Sequence, residues 1–263
     1  MKKRLTLIQM DVHVNDVEYN YNRVQELLNQ SLSESPDIIV LPETWNTGFY
    51  PSTELINIAD NNGERTKALL SAFSKEHNVN IVGGSVAVGK DNLVFNTSYV
   101  YNRSGELVGE YSKMHGFSPA KEDKYFASGT HTTHFKLDGI PCSTVICYDI
   151  RFPELVRMAA LPDTELLFVP AQWPTMRLRH WQVLNEVRAI ENQLFVCAVN
   201  GCGTVGRVQS TGHSAVYDPW GTNLLEMDTN EGIASIDINL TVVEDIRKKI
   251  NIFRDRKPEL YNL

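Results

Sequence analysis

Apolar residues follow two spacings along this chain, short continuous runs and stripes that recur every three or four residues. Short runs bounded by turn residues are typical of buried strands, and the stripes are typical of amphipathic helices. The runs predict strands over residues 3–10, 37–41, 79–88, 166–169, 194–199 and 233–238. The stripes predict helices over residues 17–32, 63–77, 153–160, 179–192 and 241–250. Strands and helices therefore alternate, which indicates an α/β fold.

Turn residues add two predicted hairpins to this pattern. The hairpins join residues 96–102 to 106–113 and residues 133–137 to 142–147. The predicted strand at 79–88 contains Gly83 and Gly84, where we expect two backbones to approach closely. These elements are equally compatible with a three-layer sandwich and with a four-layer sandwich of two sheets.

Three predicted strands end at a reactive side chain. Glu43 follows the strand that ends at residue 41, Lys113 follows the one that ends at residue 111, and Cys147 follows residues 144–146. Active sites of α/β proteins collect at such strand ends. Cys147 also precedes a predicted helix, whose free N–H groups and positive end favour a thiolate. The pattern suggests that Cys147 is a nucleophile that attacks a carbonyl carbon.

A cysteine nucleophile needs a base that accepts its proton. The seven histidines show no spacing that pairs one of them with Cys147. A carboxylate in an enclosed site can serve instead, because desolvation raises its pKa toward neutrality. A nearby lysine can donate to the oxyanion that forms on the carbonyl. Each of the three residues has an ordinary structural explanation by itself, but their joint occurrence favours catalysis.

Composition and charge narrow the class of protein. The 263 residues suit one large domain, and no linker divides them, so we predict a single domain over residues 1–263 with a C-terminal tail at 253–263. The formal net charge of −7 argues against nucleic acid or an anionic membrane as a partner. The N-terminal apolar segment is too short for a signal sequence or a membrane span, so we expect a cytoplasmic protein.

The four cysteines show no spacing typical of a metal site and are predicted to be reduced thiols. Of these four, Cys142 and Cys197 are predicted to be core residues, since small apolar thiols are commonly buried.

Three segments resemble the signature segments of the nitrilase (carbon–nitrogen hydrolase) superfamily and occur in the order of that family. They are LPETWNTGF at 41–49, YSKMH at 111–115 and ICYDIRFPE at 146–154. Within the superfamily the chain looks most similar to the omega-amidases, which hydrolyse 2-oxoglutaramate and related ω-monoamides of dicarboxylates. The resemblance implies a four-layer α-β-β-α sandwich of two mixed sheets. It also implies a homodimer that needs no metal or organic cofactor and acts on a small amide and water.

The resemblance also assigns roles to individual residues. Glu43 would be the general base, Lys113 the oxyanion donor and Cys147 the nucleophile of a reaction through a thioester. Glu122 would support these three, and the backbone N–H of Tyr148 would complete the oxyanion site. The substrate pocket is predicted to include Phe49, His115, Arg151 and Trp173.

Asp149 and Arg151 are predicted to fix the turn after Cys147, through an ion pair or a hydrogen-bonded cluster. Arg151 could alternatively contact a carboxylate of the substrate.

Several alternatives remain open at this point. A nitrilase or an N-carbamoyl-amino-acid amidohydrolase of the same superfamily would use the same three residues. A non-catalytic binding protein on this fold predicts the loss of one of the three, and none is missing. A cysteine peptidase predicts a histidine base aimed at Cys147, for which the sequence offers no motif.

Overall fold

The computed structural model describes residues 1–49, 51–161, 163–205 and 208–261, without the side chains of residues 205 and 208. Its strands are β1 (Lys2–Gln9), β2 (Ile38–Val40), β3 (Asp60–Asn61), β4 (Asn80–Val82), β5 (Val86–Lys90), β6 (Leu93–Tyr101), β7 (Leu107–Ser112), β8 (His134–Leu137), β9 (Ile140–Thr144), β10 (Leu166–Ala171), β11 (Phe195–Asn200), β12 (Thr204–Val205), β13 (Val208–Gln209), β14 (Ala215–Tyr217), β15 (Asn223–Glu226) and β16 (Gly232–Asn239). Its α-helices are α1 (Val17–Ser31), α2 (Leu55–Ile58), α3 (Glu64–His77), α4 (Glu122–Tyr125), α5 (Pro153–Ala160), α6 (Leu178–Asn192), α7 (Thr241–Lys249) and α8 (Ile252–Asp255). Short 3₁₀ turns cover Leu32–Glu34, Ser118–Ala120, Cys147–Arg151, Thr175–Arg177 and Pro258–Leu260.

The larger strands form two mixed sheets. The first sheet has the order β16-β1-β2-β4-β6-β5-β3, with β7 paired to β6, and the second has the order β15-β14-β11-β10-β9-β8. Parallel pairs join β1 to β2, β2 to β4, β9 to β10 and β10 to β11. The hairpins contribute antiparallel pairs at the sides. β16 returns to pair antiparallel with β1, so residues 2–9 and 232–239 lie side by side in the first sheet.

The two sheets pack face to face, and helices cover their outer faces. Alternate residues of a strand point to opposite faces, and both faces are buried here. Ile38 of β2 and Phe168 of β10 belong to the apolar cluster between the sheets. Their neighbours point outward, Ile39 into a cluster with residues of α1 and α3, and Leu167 into one with residues of α5 and α6. The order of layers is therefore helix, sheet, sheet, helix, as the family resemblance implied.

The predicted helices agree with α1, α3, α5, α6 and α7 to within one residue at each end. The single strand predicted at 79–88 is wrong, because the chain breaks into β4 and β5 at Gly83-Gly84-Ser85. Gly84 has φ = +60°, and a Cβ added there would lie 2.0 Å from the carbonyl oxygen of Pro42. The expected close approach is present, and it needs a backbone conformation that ends the strand.

The predicted C-terminal tail packs on the helices of the second sheet. Phe253 lies between the guanidinium groups of Arg157 and Arg247, at 5.4 Å and 5.0 Å from its ring centre. Residues 262 and 263 of this segment lie outside the described residues. The helices within the described ranges include none that is long and apolar enough to cross a bilayer.

Candidate active site

The ends of β2, β7 and β9 bring Glu43, Lys113 and Cys147 together. Lys113 Nζ lies 2.8 Å from Glu43 Oε1, although 70 residues separate them in the chain. The exposed fractions of Glu43, Lys113 and Cys147 are 0%, 4% and 8%. The Cys147 thiol lies near both groups, so that the charges of Glu43 and Lys113 act in opposite directions on its pKa. An acid group, an ammonium and a sulfur thus meet in one enclosed place.

Glu43 is held by donors on both carboxylate oxygens. Oε1 accepts from Lys113 and from the side-chain amide of Asn96, each at 2.8 Å. Oε2 accepts from the backbone N–H of Gln172 at 2.8 Å, and the Gln172 side chain donates to the Glu43 carbonyl at 3.0 Å. Thr44, the next residue, has φ = +42°, so the chain turns sharply after Glu43. These contacts fix the orientation of the carboxylate toward Cys147 and Lys113.

Lys113 contacts a second buried carboxylate, that of Glu122 in α4. Its Nζ lies 2.8 Å and 2.9 Å from the two oxygens of Glu122. Burial favours the neutral amine, but the negative charges of Glu43 and Glu122 outweigh it and hold the pKa of Lys113 well above its usual range. Lys113 is therefore an ammonium, as a donor to an oxyanion must be.

Glu122 is buried and joins this cluster to the loop that precedes α4. Its Oε2 accepts from the backbone N–H of Phe117 at 2.6 Å, and its Oε1 lies 3.3 Å from the Asn96 amide. Burial raises the pKa of Glu122, and the charge of Glu43 raises it further, while Lys113 opposes both. Two carboxylates therefore share one ammonium at the floor of the site.

Cys147 begins the 3₁₀ turn Cys147–Arg151 with φ = +49°, a conformation that costs a non-glycine residue about 1–2 kcal/mol. Burial raises the pKa of the Cys147 thiol well above its usual range, and the charge of Glu43 adds to this effect. The expectation that the coming helix favours a resting thiolate is therefore wrong. The helix α5 begins only at Pro153, too far along the chain for its positive end to offset burial.

A cavity of about 980 Å³ opens above these groups. Lys113 and Cys147 line it, together with Tyr148, the residue that follows Cys147 in the chain. Two arginines, Arg151 and Arg177, line the same cavity. Within the described part of the chain, neither arginine forms a salt bridge with a carboxylate. Asp11 and Asp16 also line the cavity, so what it offers a substrate is two guanidinium groups rather than a uniformly positive wall.

Comparisons with known proteins agree with this geometry. A family model described as carbon-nitrogen hydrolase matches residues 4–248. This chain belongs to the carbon–nitrogen hydrolase family.

Named relatives and a solved structure cover nearly the whole chain. The 2-oxoglutaramate amidase of Bacillus subtilis (strain 168) is 38% identical over 99% of this chain and 100% of its own length. The omega-amidase NIT2 of Mus musculus is 30% identical over 99% of this chain and 97% of its own length. The crystal structure of XC1258 from Xanthomonas campestris, a CN-hydrolase superfamily protein, is 29% identical, covers 98% of each chain and has a TM-score of 0.90. The predicted family and the predicted fold of two mixed sheets are therefore confirmed.

Three of the four predicted pocket residues of this carbon–nitrogen hydrolase line the cavity, and one does not. Phe49, Arg151 and Trp173 line the cavity, with the Arg151 guanidinium 4.7 Å from the centre of the Trp173 ring. His115 is not among the described residues that line it, and its ring stacks on Phe152 at 3.6 Å. The predicted contact between Asp149 and Arg151 is also not found among the described salt bridges and hydrogen bonds. Asp149 bonds to His115 at 2.8 Å instead.

Sequence reasoning missed the roles of three residues that the structure adds to the site. Asn96 and Gln172 hold Glu43, and Arg177 lines the cavity with its guanidinium 5.1 Å from the centre of the Phe117 ring. Gln172 belongs to the segment 171–174, which resembles a pocket-lining segment of the family, and this resemblance was the available signal. Asn96 lies in the middle of a strand, where no local pattern distinguishes it from other polar residues.

Proposed function

We propose that this carbon–nitrogen hydrolase cleaves the ω-amide of a small dicarboxylate, such as 2-oxoglutaramate or succinamate, to the acid and ammonia through a thioester on Cys147. The meeting of Glu43, Lys113 and Cys147, of which Lys113 and Cys147 line one cavity, carries this proposal. The names of the relatives from Bacillus subtilis and Mus musculus support the ω-amide as the substrate class.

The acylation half of the reaction begins from a neutral thiol. Glu43 accepts the Cys147 proton as the sulfur attacks the amide carbon, so that a free thiolate need not persist. Lys113 and the backbone N–H of Tyr148 donate to the oxyanion of the tetrahedral intermediate. Glu43 then gives its proton to the amide nitrogen, the carbon–nitrogen bond breaks, and ammonia leaves behind a Cys147 thioester.

Deacylation repeats these steps with water. Glu43 accepts a proton from the water as its oxygen attacks the thioester carbon, and the same two donors stabilise the second oxyanion. The carbon–sulfur bond breaks, the acid leaves, and the Cys147 sulfur recovers the proton from Glu43. The balance is one amide and one water converted to one acid and one ammonia, with the enzyme unchanged.

The arginines in the cavity support a substrate that carries a carboxylate at the end remote from the amide. Burial lowers the pKa of Arg151 and the positive charge of Arg177 lowers it further, so an anion between the two would relieve their repulsion. Guanidinium groups bind carboxylates in a planar, two-bonded geometry that favours this partner. We therefore assign Arg151 and Arg177 to the remote carboxylate.

The test of the proposed function is ammonia release from 2-oxoglutaramate and succinamate, with nitriles and N-carbamoyl amino acids in the same panel. We expect release from the ω-amides and its loss in Cys147→Ala. The control is Cys197→Ala, which removes a buried thiol of the core between the sheets. Ammonia release that persists in Cys147→Ala would refute the nucleophile, and a preference for nitriles or carbamoyl amino acids would refute the substrate class.

We also propose that the enzyme is a homodimer that pairs through its outer helices. Val187 and Ile190 of α6 and Met158 of α5 are 37%, 44% and 54% exposed, and Trp220 beside α6 is 52% exposed. Apolar side chains grouped on a surface are typical of a subunit contact. Light scattering is expected to give twice the chain mass of 29.7 kDa, and a monomer at working concentration would overturn the proposal.

The proposals of a single domain and of a cytoplasmic location have separate support. β16 pairs with β1 although more than 200 residues separate them, which supports one domain over residues 1–263. The four unpaired, buried cysteines support a reducing compartment. Limited proteolysis that releases two stable fragments would refute the first proposal, and recovery of the native protein in a secreted fraction would refute the second.

A further inference from the structure

One fully buried carboxylate, that of Asp149, belongs to the turn that presents Cys147. Its Oδ2 accepts from the backbone N–H of Ile146, the residue before Cys147, at 3.1 Å. Its own backbone N–H donates to the Ile146 carbonyl at 3.0 Å. Asp149 therefore closes the turn around Cys147 with both its side chain and its backbone.

The same carboxylate binds the segment that presents Lys113, on both sides of that residue. Tyr111, two residues before Lys113, donates its hydroxyl to Oδ2 at 2.7 Å. His115, two residues after Lys113, donates its backbone N–H to Oδ1 at 3.0 Å, and its Nδ1 lies 2.8 Å from the same oxygen. The Asp149 carboxylate thus has three contacts to the segment of Lys113 and one to the segment of Cys147.

The donors around Asp149 are unusual for a buried carboxylate, because none of the described lysines or arginines pairs with it. A buried charge without a cation is expensive, and here neutral donors and one imidazole offset the cost. Burial and then the charge of Asp149 raise the pKa of Tyr111, which keeps the phenol protonated as a donor. An apolar side chain at position 149 would avoid this desolvation cost. Stability alone therefore does not explain why a carboxylate occupies the position.

The reason follows from the topology. Lys113 follows β7 in the first sheet and Cys147 follows β9 in the second, so no shared ladder of backbone hydrogen bonds sets their relative position. We infer that Asp149 is a positioning residue, which fixes the Lys113 ammonium relative to the Cys147 sulfur so that both act on one carbonyl group. This inference rests on the proposed function, because it requires the proposed roles of Lys113 and Cys147.

The inference predicts that two activities of the site separate when Asp149 is changed. Hydrolysis needs the Lys113 ammonium at a fixed position relative to the Cys147 sulfur. Alkylation of Cys147 by iodoacetamide forms no oxyanion and does not need Lys113 as a donor. A displacement of about 1 Å in a catalytic group can cost about 100-fold in rate. In Asp149→Asn we expect kcat for succinamate to fall about 100-fold with KM within about threefold, while the rate of alkylation stays within about threefold.

Two further variants keep the test decisive. Tyr111→Phe deletes one hydroxyl group and with it a single hydrogen bond on the Lys113 side, and we expect its kcat to fall about tenfold with alkylation unchanged. It decides the question alone if Asp149→Asn does not fold. Asp138→Asn is the control for a structural carboxylate, since Asp138 pairs with Lys3 and Arg103 in a separate cluster. We expect Asp138→Asn to lower the melting temperature and leave kcat unchanged.

Three results would overturn the positioning role of Asp149. A kcat that stays within about twofold of wild type in Tyr111→Phe and in folded Asp149→Asn overturns the positioning role. Equal losses of hydrolysis and alkylation also overturn it, because they indicate general disorder of the turn. A wild-type enzyme that releases no ammonia from any ω-amide overturns the proposed function and this inference together, whereas an active wild type confines the failure to Asp149.

Discussion

Lys113 Nζ lies 2.8 Å from Glu43 Oε1 in a site where neither side chain is more than 4% exposed. The ammonium contacts the Glu122 carboxylate at the same distance, so it carries the only positive charge that these two described carboxylates contact directly. Removal of one member of a buried ion pair typically costs about 3–5 kcal/mol, because its partner stays buried and uncompensated. Lys113 is therefore both a proposed catalytic group and a condition for the stability of the site.

Substitution of Lys113 is expected to lower activity and stability together. In Lys113→Met we expect kcat/KM for succinamate to fall at least about 100-fold, since an oxyanion donor is lost. We also expect the free energy of unfolding to fall by about 3–5 kcal/mol in urea titrations. The control is Lys3→Met, which removes a lysine of the Asp138 cluster and should spare kcat/KM. A Lys113→Met enzyme with more than about a tenth of wild-type kcat/KM would contradict the oxyanion role.

Gly84 is expected to be essential to the position of Glu43. A Cβ at Gly84 would lie 2.0 Å from the Pro42 carbonyl oxygen and 2.7 Å from the Leu41 carbonyl, so Gly84→Ala must displace the backbone next to Glu43. Gly139 provides a matched control, because its φ of +84° is also positive but a Cβ there meets nothing within 4 Å. Gly139→Ala should cost about 1–2 kcal/mol of stability and no activity.

For Gly84→Ala we expect a larger loss of stability and at least a tenfold loss of kcat, at roughly the scale of a misplaced catalytic group. Ammonia release and thermal unfolding measure both effects in the two alanine variants. Equal melting temperatures and equal kcat in the two would show that the contact with Pro42 does not set the position of Glu43.

The Cys147 thiol is expected to remain protonated across the neutral range. Burial and the charge of Glu43 disfavour the thiolate, so the pKa of Cys147 lies above the usual value of about 8.5 and not below it. The ultraviolet absorbance of thiolate, taken as wild type minus Cys147→Ser, should show no step from about pH 6 to about pH 8.5. Burial also raises the pKa of Cys202 to about 12, so this thiol does not confuse the measurement. A step near neutrality would mean that a preformed thiolate attacks, without proton transfer to Glu43.

The sequence indicates the main catalytic candidates because each lies at the end of a strand. Glu43, Lys113 and Cys147 adjoin apolar runs whose ends can be located from the pattern of side chains alone. Asn96 and Gln172 are different, since they contact Glu43 across 53 and 129 residues of chain and no local spacing reports such a distance.

The errors arise from contacts between residues that lie far apart along the chain. The strand predicted at 79–88 fails at Gly84, because apolar content does not reveal that Pro42 occupies the space beside it. The prediction of a resting thiolate at Cys147 is wrong because the burial of the thiol depends on the packing of both sheets. The sequence pattern that predicts the following helix is local and carries no information about this burial. The ring of His115 hydrogen-bonds to Asp149, a residue distant from it in sequence, and does not line the cavity in the described part of the chain.

The paired arginines predict a preference for a substrate with a carboxylate. Succinamate and butanamide have the same number of carbons, but only succinamate carries the remote charge. A hydrogen bond to a charged group contributes about 1.5–3 kcal/mol, which is about 10- to 100-fold in kcat/KM. We expect Arg151→Met and Arg177→Met each to lose this factor for succinamate and to change little for butanamide. Arg179→Met, an exposed arginine at the start of α6, is the control, and equal losses for both amides would refute the assignment.

The proposed subunit contact can be tested at Ile190, an exposed apolar residue of α6. In a two-fold dimer a charge at one position meets its own copy or the apolar surface around it, and like charges brought together cost several kcal/mol. We expect Ile190→Glu to weaken the dimer at least about 100-fold and to yield the 29.7 kDa monomer in light scattering. Leu93→Glu is the matched control, since Leu93 is 51% exposed but lies in β6 of the first sheet, away from α6. The subunit contact would lie elsewhere on the surface if Leu93→Glu were a monomer. The same conclusion would follow if Ile190→Glu still formed a dimer with unchanged affinity.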